Sequence, residues 1–120
     1  MNIIVCKPYC EAEVVKVEAA TLPLKMLQFY VDGYIEIVHP DGLPDYAQLV
    51  CNEEGKLRRL PANWYITNCG WPDIVCGTFV LCAEGLDEYN EPTLVPFTDE
   101  QTREVLRLCK YYDWEVLGHV

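Results

Sequence analysis

Apolar and polar positions change period several times along the chain, and each change predicts an element. Asn2–Lys7 (NIIVCK) is apolar and β-branched and stops before Pro8, which predicts a buried strand. Glu11–Ala19 alternates, with Val15 and Val17 on one side and Lys16 and Glu18 on the other, which predicts a half-exposed strand in a hairpin with the first. Thr21 is an N-cap candidate and Pro23 suits a first helical turn, so Leu24–Val31 is predicted to be a short helix closed by Asp32-Gly33. Tyr34–Val38 and Tyr46–Asn52 read as strands on either side of a Pro/Gly-rich loop. Glu53–Lys56 reads as a turn, and Leu57–Ile66 is ambiguous between helix and strand. Asp73–Ala83 is apolar on both faces, which predicts a central strand.

The remainder divides in two. Glu84 to Pro96 is acidic and carries two prolines, so an acidic loop over 84–97 is expected. Thr98-Asp99-Glu100-Gln101 is a capping box, in which a hydroxyl and an amide satisfy free N–H groups at a helix start. A helix over 98–112 follows, with Val105, Leu108, Cys109 and Tyr112 as its buried stripe and its acids ahead of its bases, as the helix dipole favours. The tail beyond it is read as a last strand or a loosely packed end. The order is that of an α+β fold: one domain over 1–120 with its core in 2–83. Its sheet is mixed, mostly antiparallel and of about five strands, with two or three helices packed on one face.

Composition narrows the class. At 120 residues, 51% of them hydrophobic, the chain can bury a core without a metal or disulfide staple. No apolar run is long enough to span a membrane, and the N-terminus lacks the basic and apolar regions of a signal peptide. Seven cysteines, an odd number without an export signal, point to free thiols in a reducing compartment. None forms a Cys-x-x-Cys pair, and with His39 and His119 as the two histidines no metal or cofactor site is expected.

Charge adds more. Acids outnumber bases 19 to 9, for a net charge of −10, which argues against a phosphate backbone as partner. The surplus either keeps the protein soluble or imitates a nucleic acid.

Against that background one tight cluster of cations stands out: Lys56, Arg58 and Arg59, followed by Asn63, Trp64 and Tyr65. Arginine forks grip carboxylates and phosphates, and an aromatic ring beside them can stack a base. An anionic, nucleotide-like ligand is the chemistry these residues offer. The bland alternative is that the cations neutralise nearby acids while Trp64 and Tyr65 fill the core. Glu36 shares a strand face with Tyr34 and Val38. If that face is covered it needs a cation, with the basic cluster the obvious source; if open, it is an ordinary surface acid. Catalytic motifs are lacking: there is no phosphate loop, no nucleophile elbow, and Glu53-Glu54 splay into water.

Three runs together resemble one family. Asp32-Gly33-Tyr34-Ile35-Glu36-Ile37-Val38, then Asn52–Leu57 with Leu60-Pro61-Ala62-Asn63, then Asp73-Ile74-Val75-Cys76-Gly77-Thr78 are similar to the domain of unknown function 3846 family. The likeness covers about Asn2 to Cys82, with Asp32 in place of a usual glycine and no family pattern from Glu84 onward. It implies a small cytoplasmic protein of phages and mobile elements, acting in a bacterial host cell, with no established activity.

The expectation is therefore a non-enzymatic, anti-defence binding protein. Lys56, Arg58, Arg59, Asn63, Trp64 and Glu36 would hold a small anionic ligand, in a monomer or across a homodimer. Two alternatives accompany it: an acidic inhibitor that binds a host protein as a nucleic-acid mimic, and an enzyme that cleaves a nucleotide signal with Glu36 or His39 as acid–base.

Overall fold

The computed structural model describes residues 1–111; the end of the helix stripe at Tyr112 and the expected tail lie outside the described residues, as does His119. Eight strands and two helices follow in the order β1 (Asn2–Cys6), β2 (Glu13–Lys16), α1 (Leu24–Val31), β3 (Ile35–Val38), β4 (Ala47–Asn52), β5 (Ala62–Asn68), β6 (Trp71–Cys76), β7 (Phe79–Leu86), β8 (Pro92–Val95) and α2 (Asp99–Tyr111). Six strands form one sheet in the order β2-β1-β7-β4-β3, with β8 on the far half of β7, while β5 and β6 form a separate hairpin. Every pairing among them is antiparallel.

The fold is α+β, as expected, but the helices do not share a face. Period-two alternation in β1, β4 and β7 sends Ile3, Val5, Val50, Val80 and Cys82 to one side, where Leu27 and Val31 of α1 cover them. Ile4, Cys6, Leu49, Cys51, Phe79 and Leu81 point to the other side. There Trp64, Ile66 and Val75 of the β5–β6 hairpin and Val105 and Cys109 of α2 close a second core. The cause is legible in burial: β1 and β4 are buried at every position, so each face of the sheet needs its own cover.

Three local expectations change. The apolar run read as one strand is two, β6 and β7, broken at Gly77, whose φ of 84° is left-handed. A Cβ there would come within 2.8 Å of Leu60 Cδ1, so the bend needs glycine. The acidic stretch is a hairpin rather than a loop: β7 runs on to Leu86, and the Asp87 carboxylate accepts the Tyr89 and Glu91 amides to tie the turn into β8. At α1, Pro23 rather than Thr21 occupies the N-cap position, and Asp32, at φ 60°, takes the left-handed C-cap. The capping box of α2 forms as read, with Gln101 N donating to Thr98 Oγ1 and Thr98 N to Gln101 Oε1.

Candidate binding cleft

The turn after β4 builds the candidate site. Asn52 Oδ1 accepts the Glu54 amide at 2.7 Å and starts a single helical turn. The Leu60 N–H reaches Gly55 O and the Arg59 N–H reaches Lys56 O, with Arg59 at φ 55°, the paired bonds of a Schellman closure. Arg59 thus stands where glycine is usual, and its exposed side chain follows from that backbone role. A Cβ on Gly55 would lie 2.9 Å from Cys76 O, so the turn seats closely on the end of β6.

Between this turn, the β3–β4 surface and β6 lies a cleft of about 340 Å³. Glu36 and Val38 come from β3, Cys51 and Asn52 from β4, Lys56 and Leu57 from the turn, and Asp73 to Cys76 from β6. Lys56 Nζ bonds Asp73 Oδ1 across it, and this hydrogen bond is the main cause of the upward shift of the Lys56 ammonium. Burial first, then the charges of Glu36 and Asp73, push the Cys51 thiol up to about 12, so it is not a thiolate at neutral pH.

The structure separates the residues singled out from sequence. Lys56 and Glu36 line the cleft together; Glu36 is exposed, which settles its two alternatives toward the open face. Arg58 turns the other way, donating to Asp32 O at 2.6 Å and Asp32 Oδ2 at 3.2 Å behind the end of α1. Trp64 is 4% exposed and packs edge-on against Phe79, ring centroids 4.8 Å apart, so its faces are not available to stack a ligand. Asn63 is a buried tie, donating to Cys6 O and Gly77 O at 2.9 Å each. It joins the hairpin to β1 and to the β6–β7 bend.

Asp73, Asn52 and Cys51 were not singled out. An aspartate inside an apolar, strand-like run was the available signal, since Asp is depleted in strands and needs a reason to be there. Of the two alternatives named for acid–base work, Glu36 lines the cleft and His39 lies outside it, its Nδ1 2.7 Å from Ala47 O. Among the described residues no group of three or more His, Cys, Asp or Glu is placed to hold a metal ion, and no helix is long and apolar enough to cross a membrane.

The family model described as "Domain of unknown function (DUF3846)" matches residues 1–110. The chain belongs to the DUF3846 family. The match extends past the likeness seen in sequence and takes in the β7–β8 hairpin and α2, so in DUF3846 the acidic segment is part of the domain. No curated protein and no solved structure matches the chain.

Proposed function

We propose that this DUF3846 protein is a non-enzymatic binding protein whose partner is a basic protein surface. The observation that carries this reading is the charge of the cleft: among the described residues, Glu36, Glu53 and Asp73 line it against one cation, Lys56. Among the described residues the two ion pairs are Lys56–Asp73 and Arg58–Asp32, so two of the three clustered cations are engaged with an acid, and neither Arg58 nor Arg59 lines the cleft. A phosphate entering the cleft would meet two carboxylates not held in ion pairs. An arginine or lysine would meet complementary charge beside an apolar wall of Val38 and Val75, the pattern of a polar rim around an apolar centre.

The far end of the sheet supports the same partner. Asp45, Tyr46, Glu84 and Leu86 line a shallow depression, and the Tyr46 hydroxyl donates to Glu104 Oε2 at 3.1 Å; burial first, then this bond and the charges of Glu104 and Glu100, raise its pKa to about 12. Carboxylates from three separated segments therefore gather near an aromatic ring. This is the acidic, host-protein-binding alternative; we prefer it to sequestration of an anionic nucleotide because the proposed ligand grip of Arg58, Arg59 and Trp64 is dispersed.

The test is affinity capture from bacterial lysate with the wild type and a Glu36→Gln/Glu53→Gln variant at low and high salt. Captured proteins should be basic, be held at low salt, and be reduced in the variant. Capture indifferent to both salt and the variant would overturn the reading, as would a co-purifying nucleotide that the variant retains.

A further inference from the structure

Among the described residues the cleft has an unpaired strand edge as one wall. Among the described residues β6 pairs with β5 on one side only, and its other edge borders the cleft. Beyond Cys76, where the turn after β4 seats, that edge is guarded by side chains. Pro72 has no N–H to offer, and the Ile74 N–H donates to Asp73 Oδ1 at 2.8 Å, the same oxygen that Lys56 Nζ holds. Among the described residues the edge strands of the six-stranded sheet, β2, β3 and β8, are four residues each, whereas β6 has six. Short strands, prolines and lysines are the usual means of blunting an edge. The guard on β6 is the removable kind: Lys56 is 64% exposed, and an exposed ion pair contributes little to stability.

We propose that the β6 edge is a docking strand for an extended segment of a basic partner protein, which adds to the hairpin and places a lysine or arginine where Lys56 now sits. This rests on the acidic-binding reading above and names the form of its partner. Main-chain bonds to an open edge provide affinity, and alternate side chains provide specificity. A segment laid along β6 can accept from the Ile74 N–H with a carbonyl. Its cation then takes over Asp73, with Glu36 across the cleft as the second acid. Val38 and Val75 meet its apolar residues two positions away, which share the face of the cation. Charge complementarity selects the occupant: a second copy of this chain would bring its own acids to an already acidic cleft.

The full chain is titrated with a short valine–lysine peptide in which lysine and valine take turns at every second position with threonine between them, and with a valine–glutamate peptide and a lysine–proline peptide as controls. Binding is read by calorimetry and by hydrogen exchange at the Ile74 amide. The valine–lysine peptide should bind and slow Ile74 exchange. Lys56→Ala, which removes the competing cation, should tighten it roughly fivefold, with Lys56→Gln doing the same, and Asp73→Asn should weaken it by a similar factor. Equal binding of the lysine–proline peptide would mean charge without strand pairing, which sinks this inference and leaves the acidic reading standing. Equal binding of the valine–glutamate peptide would sink both. No binding by either the wild type or Lys56→Ala overturns the docking strand. So does self-association of Lys56→Ala that protects Ile74 without peptide, because the occupant is then a second copy.

Discussion

Asn52 Nδ2 donates to Val31 O at 2.9 Å and to Asp32 O at 3.1 Å, while its Oδ1 holds the Glu54 amide. One buried side chain thus closes the end of α1, ends β4 and starts the turn that carries Lys56. Asn52→Ala leaves these backbone groups short of partners, and an unsatisfied buried group costs far more than a typical net hydrogen bond gains. The expected loss is about 2–3 kcal/mol in urea unfolding. Lys56→Ala removes an exposed ion pair and should cost under about 1 kcal/mol, so it can probe binding without unfolding the protein. Thiols give a second contrast. Burial raises Cys6 and pushes Cys51, Cys82 and Cys109 up to about 12, whereas Cys10 and Cys69 are exposed. Alkylation at neutral pH followed by mass spectrometry should label Cys10 and Cys69 first and the four buried thiols only on unfolding.

At the scale of elements, Gly77 decides where the hairpin ends and the sheet begins. Gly77→Ala forces a left-handed backbone on a residue with a Cβ and drives that Cβ into Leu60, so a loss of about 1–3 kcal/mol is expected by thermal or urea unfolding. The same position shows where reading the sequence stopped. Periodicity finds β1 to β4, the apolar run of β6 and β7, and the α2 cap because those depend on neighbours in the chain, and it leaves β5 ambiguous within Leu57–Ile66. It joins β6 to β7 because an apolar run looks alike whether or not a bend interrupts it, and it leaves β8 as loop because Asp87 sets that turn through side-chain bonds to the backbone. The faces of the helices, the burial of Trp64 and the pairing of Lys56 with Asp73 are long-range outcomes of β4 and β6 meeting, and no local pattern encodes them. The docking of α2 provides a pH test. Asn2 Nδ2 donates to Asp99 Oδ1 at 2.8 Å, and this bond holds the Asp99 carboxyl below its ordinary value. A group depressed in the folded state stabilises above its unfolded pKa and loses that contribution as pH falls through the folded value. Amide exchange in α2 should therefore speed up on acidification into and below the carboxylate range, relative to the intrinsic rate, and Asp99→Asn should flatten that dependence.

For the whole molecule, salt acts on stability and on binding with opposite signs. A chain of net charge −10 repels itself, and the two ion pairs among the described residues are both at least partly exposed, so they return little. Added salt screens charges more than about 10 Å apart at 0.1 M, which relieves the diffuse repulsion while weakening contacts that are individually small. The melting temperature should rise by a few degrees between low and moderate salt. Binding to a basic partner depends on the same uncompensated field, which speeds encounter and favours complementary charge, so its affinity should fall over the same range. The Glu36→Gln/Glu53→Gln variant links the two measurements: removing two cleft acids should raise the melting temperature at low salt, shrink its further rise with salt, and flatten the salt dependence of binding. If the variant binds with the wild-type salt slope while its melting temperature shifts, the negative field acts on folding alone and the partner does not read the cleft.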